Sequence, residues 1–242
     1  MADRPYTLLS CALSIDGYLD AGTDERLQLS NADDFARVDA VRAESDAVLV
    51  GARTVRHDNP RLLVRSEELR SRRLGRDLPP TPVKVTVTRG ADLDPGAAFF
   101  TTGDGDKVVY CASGSIGRAR RRFGELATVV DGGRRVDVRW LSEDLHRRGV
   151  RRLMVEGGAS VHTQFLTADL ADELQLVVAP FFVGNPRANR FVGTGRFPFH
   201  PGRRATLAEV RPIGDVVLLR YALSTRFTSE TTSTGEMKEA AR

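Results

Sequence analysis

Short apolar runs alternate with stretches of helical spacing along most of the chain. The runs are rich in β-branched residues and predict strands at residues 6–13, 47–50, 84–88, 107–111 and 153–155. A helix between two strands returns the chain to the end of the sheet where the first strand began, so the two strands run parallel, whereas a short turn would make them antiparallel. The pattern therefore predicts an α/β fold with a mostly parallel central sheet and flanking helices.

Helical spacing fills the gaps between these strands. Ser30 is predicted to cap a helix that runs to residue 44, because the aspartates that follow it suit the positive end of the helix dipole. Phe35, Val38 and Val41 recur at three-residue spacing, which predicts that they face the core. Further helices are predicted at residues 116–126, 142–148 and 160–166.

The later part of the chain changes character. Residues 173–183 and 205–222 are richer in strand formers and predict antiparallel strands at one edge of the sheet. Residues 65–82 are charged and contain Pro79-Pro80, which indicates a mobile loop. We expect one domain over residues 4–224 and a disordered polar tail over residues 225–242.

The charge of the chain is nearly balanced. It has 36 basic and 32 acidic residues, a net charge of +4, and Lys84, Lys107 and Lys238 are its lysines, so arginine supplies the other basic groups. Codon bias explains such an arginine excess, and the abundant acidic residues mean that a nucleic-acid role is not required. Locally, the planar fork of an arginine suits a phosphate ligand.

The two cysteines, Cys11 and Cys111, lie in apolar runs and form no CxxC pair. We therefore expect buried free thiols and a reducing compartment. No apolar run approaches the roughly 20 residues of a membrane span, and the N-terminus lacks a basic segment followed by a long apolar one. The sequence thus predicts a soluble, cytoplasmic protein.

The segment RLMVEGGAS predicts a turn between a strand and a helix. Glu156 ends the strand, and Gly157 and Gly158 follow it. Glycines let a ligand approach the backbone, and the free amides of a helix start attract an anion such as a pyrophosphate. Ordinary βα turns also use glycine, and neither a GxGxxG nor a GxxxxGK[ST] motif is present. A carboxylate beside the glycines favours a site, because ligands of open α/β sheets bind at this edge.

Two other strand ends carry candidate groups. In VLVGARTVRHDNPRLLVR an apolar run ends at Gly51, and Thr54, Asp58 and Arg65 follow, which indicates part of a small-molecule site. Thr88-Arg89 ends another predicted strand and suits the 2′-phosphate of NADPH, although Arg89 is equally compatible with a solvated position. The four histidines show no metal-ligand spacing, so no metal site is predicted.

Four segments together carry a family resemblance: PYTLLSCALSIDGY, VRAESDAVLVGARTVRHDNPRLLVR, LMVEGGASVHTQFL and VVAPFFVGN. In this order they resemble the pyrimidine reductase of riboflavin biosynthesis over roughly residues 4–224. That reductase is the C-terminal half of the bacterial deaminase-reductase and a separate protein in archaea and fungi. No zinc deaminase motif is present and few residues precede Tyr6, so the chain resembles the stand-alone form.

The resemblance implies a dihydrofolate-reductase-like fold, a homodimer, and NADPH as the hydride donor. The implied substrate is 5-amino-6-(5-phosphoribosylamino)uracil, whose ribose is reduced to a ribityl chain, and neither nucleic acid nor membrane is an expected partner. Carried over by position, Asp58 and Glu156 are the catalytic residues. With Thr88 and Arg89, the expected cofactor-binding residues are Ala12, Thr54, Asp58, Gly157, Gly158, Ala159, Ser160, Val161, His162 and Thr163. The expected substrate-binding residues are Ser30, Arg42, Leu62, Arg65 and Glu156, of which the two arginines match those that hold the phosphate.

The chain departs from the family at Ser10, where many bifunctional members have a lysine, and over residues 22–29. These departures keep open a relative with the same fold and cofactor that reduces a pterin or a specialised metabolite. Arg42 and Arg65 favour the riboflavin substrate, because a dihydropterin has no phosphate. A third hypothesis, a non-enzymatic nucleic-acid binder, rests on the arginine content alone.

Overall fold

The computed structural model describes residues 3–23 and 27–227, and one nine-stranded sheet runs through them. The strands are β1 Tyr6–Ser14, β2 Ala47–Gly51, β3 Val83–Thr88, β4 Lys107–Cys111, β5 Thr128–Asp131, β6 Arg152–Gly157, β7 Glu173–Ala179, β8 Thr206–Ile213 and β9 Val216–Ala222. The helices are α1 Ala32–Ala43, α2 Ala52–Asp58, α3 Glu67–Leu74, α4 Ala98–Thr101, α5 Ile116–Phe123, α6 Val138–Arg147 and α7 Ala159–Thr167.

The strand order is β5-β4-β3-β2-β6-β1-β7-β9-β8. Strands β1 to β7 pair in parallel, whereas β9 is antiparallel to both β7 and β8. The predicted α/β fold, with a mostly parallel sheet and antiparallel strands at one edge, is confirmed. The parallel pairing brings the carboxyl ends of β1, β2, β3 and β6 to the same edge of the sheet.

Side chains of the central strands are buried on both faces of the sheet. Leu9 and Leu49 belong to one apolar cluster, and their neighbours Leu8 and Val48 belong to the cluster on the other face. Successive residues of a strand point to opposite faces, so helices on both sides require apolar runs without polar alternation. This explains why short continuous apolar runs marked these strands in the sequence.

Helix α1 begins one residue later than predicted. Asn31 is its cap, because Asn31 Oδ1 accepts a hydrogen bond from the amide of Asp34 at 2.9 Å. The Asn31 amide also donates to the Ile213 carbonyl at 2.7 Å and so ties the helix to β8. The prediction that Ser30 caps the helix is therefore wrong, because the side chain of Asn31 accepts the hydrogen bond from the first turn of the helix.

Phe35 does not face the core as its spacing predicts. Its side chain is exposed, and the Arg65 guanidinium lies 5.9 Å from the centre of its ring. Val38 and Val41 do pack against the core, as predicted. The aromatic ring instead provides an apolar surface beneath a cation, a role that spacing alone does not reveal.

The prediction of a loop over residues 65–82 is wrong, because the segment contains α3. Ser66 caps this helix by accepting from the Leu69 amide at 3.3 Å. Arg73 is buried, and its guanidinium donates to the carbonyls of Ala43 and Ser45 at 2.7 Å each. One of the charged residues of this segment therefore caps carbonyl groups at the end of α1 and does not face solvent. For this reason the charged composition wrongly indicated a loop.

Elements α2, α4 and β5 were not predicted from the sequence.

In the described part of the chain, no helix is long and apolar enough to cross a bilayer. Within the same residues, no group of three or more His, Cys, Asp and Glu side chains is placed to hold a metal ion. Residues 24–26 of the atypical segment and residues 228–242 of the predicted tail lie outside the described residues, while Arg226 donates to Asp172 at 3.3 Å.

Candidate functional site

The turn after β6 brings backbone rather than side chains to the carboxyl edge of the sheet. Gly157 has a φ of +123°, and its peptide bond to Gly158 is cis. A Cβ atom at Gly158 would lie 3.2 Å from Thr54 Oγ1, and one at Gly51 would lie 3.0 Å from Val161 Cγ2. Glycine at these positions therefore allows β2, β6 and α7 to approach closely.

Helix α7 begins at this turn without a side-chain cap. Its cap residue is Gly158, whose carbonyl accepts from the amides of Val161 and His162 at 2.9 and 3.1 Å. The described structure gives no acceptor for the amides of Ala159 and Ser160 at the exposed start of the helix. Two uncapped amides on a nine-residue helix form an environment that favours an anion.

His162 supports the turn from the protein interior. Its side chain is fully buried, its ring lies 5.3 Å from that of Phe191, and Nε2 lies 3.4 Å from the Val155 carbonyl. Nδ1 has no partner. Burial lowers the pKa of His162 to about 4, so the imidazole is neutral at physiological pH.

The other predicted residues of the turn divide into two groups. Gly158 and Ala159 are partly exposed and Ser160 is exposed, so a ligand can reach them. Val161 is buried, and Thr163 Oγ1 donates to the Ala159 carbonyl at 2.7 Å and accepts from an amide at 2.8 Å. Val161, His162 and the Thr163 hydroxyl therefore hold the turn in place. Gly158, Ala159 and Ser160 form its accessible surface.

Four further predicted residues lie in β1, before α1, and in α2. Thr54 is partly buried, with its hydroxyl beside Gly158, so the structure brings it to the glycine turn. Asp58 is the last residue of α2 and is exposed. Ala12 is partly buried in β1, and Ser30 is partly exposed just before α1.

Thr88 and Arg89 differ in what they can offer a ligand. Thr88 is buried, and its hydroxyl donates to Asp92 at 3.1 Å and accepts from the Ala91 amide at 3.1 Å. Arg89 is exposed. Val87 pairs with Gly51, so Arg89 lies at the same sheet edge as the start of α2. Arg89 is thus the member of the pair whose charged group is accessible.

Glu156 leaves the regular ladder of β6 and pairs with Arg42. The register passes from Leu49 opposite Val155 to Val50 opposite Gly157, so Glu156 is the extra residue of a β-bulge. Arg42 Nε and Nη2 donate to the two carboxylate oxygens at 2.5 and 2.6 Å, and both side chains are largely buried.

Arg42 also contacts the segment after α2. Its Nη1 donates to the Leu63 carbonyl at 3.2 Å. Burial disfavours the charged guanidinium, but the Glu156 carboxylate outweighs this effect and raises the pKa of Arg42. The two residues, which were predicted to act separately, therefore form one ion pair.

Asp39 fixes the backbone that carries Arg65. The buried Asp39 carboxylate accepts from the amides of Arg65 and Ser66 at 2.7 and 2.8 Å. The Arg65 side chain is exposed. The chain is therefore held at Arg65 while its guanidinium faces solvent. Asp39 was missed in the sequence, although its position three residues before Arg42 places both on one face of α1.

Leu62 can contact a ligand through its backbone but not through its side chain. The side chain is buried and the residue has a φ of +50°. Asn59, with a φ of +42°, accepts from the Ala98 amide at 2.7 Å through its side chain. Two left-handed residues in this short segment indicate a backbone held in one shape by its surroundings.

Comparison with known proteins places this arrangement in a family. The family model described as the RibD C-terminal domain matches residues 5–219. The chain belongs to the RibD C-terminal domain family. A 2,5-diamino-6-ribosylamino-4(3H)-pyrimidinone 5′-phosphate reductase of Archaeoglobus fulgidus is 37% identical over 182 residues, which cover 75% of this chain and 83% of that protein. A protein of the same name from Methanothermobacter thermautotrophicus is 33% identical over 226 residues, 91% of this chain and 99% of that protein.

Solved structures show the same fold. Acinetobacter baumannii RibD matches with a TM-score of 0.74 and 22% identity, over 90% of this chain and 58% of that longer chain. The Saccharomyces riboflavin biosynthesis reductase Rib7 matches with a TM-score of 0.66 and 21% identity, over 91% of this chain and 90% of that chain. The resemblance inferred from the four sequence segments is confirmed.

We expect the neutral, buried His162 to make the protein sensitive to acid. The pKa of His162 is lowered in the fold, so the unfolded chain takes up a proton first as pH falls below 6.5. The free energy of unfolding should fall between pH 6.5 and about 4, by on the order of 2–3 kcal/mol from this residue. Denaturant unfolding across this range measures the loss.

His162→Phe keeps a ring against Phe191 and removes the titrating group, so its unfolding free energy should depend less on pH over this range. His57→Gln, which changes an exposed histidine, should follow the parent protein. Identical pH dependence in the parent and His162→Phe would contradict the role of His162.

Proposed function

We propose that the protein is the NADPH-dependent reductase of riboflavin biosynthesis and converts the ribose of a phosphoribosylaminopyrimidine to a ribityl chain. The substrate is 5-amino-6-(5-phosphoribosylamino)uracil or the 2-amino counterpart that gives the archaeal relatives their name. One observation carries the proposal. A chain of this family presents uncapped amides at its glycine turn and an exposed Arg65 on a fixed backbone, which suits two phosphorylated ligands.

The residues at the sheet edge fit a nicotinamide dinucleotide. The uncapped amides of Ala159 and Ser160 would hold its pyrophosphate, and glycine at position 158 leaves room for that group beside Thr54. The exposed guanidinium of Arg89 would bind the 2′-phosphate that distinguishes NADPH from NADH. When bound, the nicotinamide supplies a hydride.

The chain's own residues orient the substrate and manage the proton. The sugar of a phosphoribosylamine opens to an imine at C1′, and hydride addition to that carbon, with a proton on nitrogen, leaves the ribityl amine. Arg65 would anchor the phosphate at the far end of the sugar and so orient C1′. Asp58 and Glu156 are the carboxyl groups available to interact with the reacting end.

Oxidation of NADPH followed with the two pyrimidines tests the function. We expect turnover with at least one of them and none with dihydrofolate. NADPH should bind at least about tenfold tighter than NADH, because a contact to the 2′-phosphate contributes about 1.5–3 kcal/mol. Arg89→Ala should narrow that difference. Turnover of dihydrofolate alone would favour a pterin reductase, and equal affinities for the two cofactors would remove Arg89 from the 2′-phosphate site.

Arg65→Ala should lower kcat/KM for the phosphorylated pyrimidine and leave NADPH affinity nearly unchanged. A guanidinium–phosphate contact is local and directional, so its loss should cost on the order of 2–3 kcal/mol in kcat/KM. Steady-state kinetics and a fluorescence titration of NADPH measure the two quantities. Arg61→Ala, at an exposed arginine four residues earlier, is the matched control and should behave as the parent.

A dephosphorylated substrate separates the phosphate role from a general disturbance. With this substrate, kcat/KM of the parent enzyme should fall by as much as the Arg65→Ala change lowers kcat/KM for the phosphorylated substrate. The variant should then lose little more on dephosphorylation, because both changes delete the same interaction. If the losses in kcat/KM from the Arg65→Ala change and from dephosphorylation simply added, or if the variant bound NADPH more weakly, Arg65 would not be the phosphate ligand.

We further propose that two copies of the chain pair through the face of β7, β8 and β9 on which Leu207, Val210 and Val217 are exposed. Three apolar rows cross these strands in register. They are Val178–Val217–Pro212, Leu176–Leu219–Val210 and Leu174–Tyr221–Leu207. Val210, Leu207 and Val217 are exposed, and β8 is an edge strand. A contiguous apolar face on an edge of a sheet is a typical interface, and this position fits the homodimer expected for the family.

Val210→Glu should convert the dimer to a monomer, because a carboxylate in the middle row would be buried without a partner. Leu74→Glu is the matched control, since Leu74 on α3 is 58% exposed and Val210 is 57% exposed. Light scattering at micromolar concentration gives the masses. A monomeric parent, or a Val210→Glu variant that remains dimeric, would rule out this interface.

A further inference from the structure

A hydrogen bond crosses the carboxyl edge of the sheet from one side of β6 to the other. Arg53, in the first turn of α2, donates from Nη1 to Asn189 Oδ1 at 2.9 Å. Arg53 follows β2, whereas Asn189 is attached to the segment after β1, because its carbonyl accepts from the Leu19 amide at 2.8 Å. β6 lies between β2 and β1 and ends at the Gly157-Gly158 turn. Neighbouring strands lie about 4.8 Å apart, so the bond joins segments that follow strands about 10 Å apart, on either side of this turn.

Asn189 offers Arg53 an acceptor whose direction is fixed. The Asn189 backbone amide donates to Asp20 Oδ1 at 3.0 Å, and its side-chain amide donates to Asp20 Oδ2. An ionised carboxylate only accepts hydrogen bonds, so Nδ2 of Asn189 must face Asp20 and Oδ1 must face Arg53. The acceptor is therefore in place before any ligand binds.

The segment that carries this acceptor is also attached to α7. Residues 185–193, here called the strap, end beside the first turns of that helix. The Phe191 ring lies 5.3 Å from the ring of His162, and the Gly193 amide donates to Thr163 Oγ1 at 2.8 Å. The strap thus connects α7, which begins at the glycine turn, with the start of α2.

Arg53 brings a positive charge to this turn. One of its five N–H groups goes to the neutral oxygen of the Asn189 amide. A phosphate is a stronger acceptor than an amide, and a planar guanidinium can contact both at once. Arg53 is exposed, and its neighbour Thr54 lies beside Gly158, where an added Cβ would be 3.2 Å from Thr54 Oγ1. The guanidinium therefore crosses the turn at which the pyrophosphate of the cofactor is proposed to bind.

We propose that Arg53 binds the pyrophosphate of the cofactor from the α2 side, and that Asn189 is a positioning residue that holds the Arg53 guanidinium across the turn. The inference rests on the proposed reductase function, which supplies the dinucleotide. Because NADPH and NADH share the pyrophosphate, Arg53 contributes affinity without distinguishing them. Arg89, at the proposed 2′-phosphate site, has the opposite role.

The test measures the binding of NADPH and NADH to Arg53→Met, Asn189→Ala and the double variant. Fluorescence titration gives the dissociation constants, and stopped-flow displacement gives the dissociation rates. Arg56→Met is the matched control, because Arg56 is an exposed arginine one turn later on α2 and pairs with Asp92 at 2.9 Å. If Asn189→Ala does not fold, Asn189→Ser replaces it, since a serine hydroxyl can still donate to Asp20 but is too short to hold Arg53.

Arg53→Met should weaken NADPH and NADH by the same factor, about tenfold or more and mainly through faster dissociation, because a hydrogen bond to a charged group is lost. Asn189→Ala should weaken both by a smaller factor, since the guanidinium remains but is no longer held in place. The double variant should match Arg53→Met, because Asn189 acts through Arg53. The ratio of NADPH to NADH affinity should keep its parent value throughout, and Arg56→Met should bind both cofactors as the parent does.

Unchanged affinities in Arg53→Met would overturn the inference, and a loss confined to NADPH would place Arg53 at the 2′-phosphate instead. Additive losses in the double variant, or tighter binding by Asn189→Ala, would show that Asn189 does not position Arg53. If the parent binds both cofactors but reduces neither pyrimidine, the proposed function fails and the affinities still decide the inference. A parent that binds neither dinucleotide would rule out both.

Discussion

The close approach of β2, β6 and α7 is the constraint on which the rest of the site depends. Side chains are absent at Gly51 and Gly158, where added Cβ atoms would lie 3.0 and 3.2 Å from Val161 and Thr54. Because the backbones come this near, the start of α7 is exposed between two strand ends with its first amides uncapped. Bulkier residues would move α7 away from β2 and fill the space in which an anion would contact those amides.

Helix α1 sets the distance between the two ends of the proposed substrate. Asp39 holds the backbone of Arg65, and Arg42, one turn further along, holds Glu156 and the Leu63 carbonyl. The proposed phosphate-binding residue and the carboxylate proposed for the reacting end are thus both held by α1, through residues three positions apart. Precise orientation of the reacting carbon needs such rigidity, since small displacements of a bound substrate reduce the rate strongly.

Sequence patterns predicted the sheet and its order of elements well, because buried parallel strands leave continuous apolar runs. They failed where a residue's partner is distant in the chain. Arg73 resembles a solvated charge until the carbonyls at the end of α1 are seen around it. The pairing of Arg42 with Glu156 joins residues from α1 and β6, and a register shift at the bulge directs the carboxylate. Thr88 has a hydroxyl at the carboxyl edge of the sheet, as predicted, yet that hydroxyl is hydrogen-bonded to Asp92 and to the Ala91 amide in the following turn. Residue type and spacing do not encode such contacts.

The same contacts bear on where the reaction's proton comes from. Ser10, the position of a lysine in many bifunctional relatives, is buried opposite Gln175, which is paired with Arg220 on β9 and accepts a hydrogen bond from Arg37 on α1. A serine hydroxyl is a poor acid at neutral pH, and the Glu156 carboxylate accepts two hydrogen bonds from Arg42. In the proposed reaction, the proton that the product nitrogen needs would therefore come through Asp58 or Glu156, or from water, and not from Ser10. Asp58 is exposed at the end of α2 whereas Ser10 on β1 is buried, so a proton that passed through Asp58 in the proposed reaction would reach the site from solvent on the α2 side.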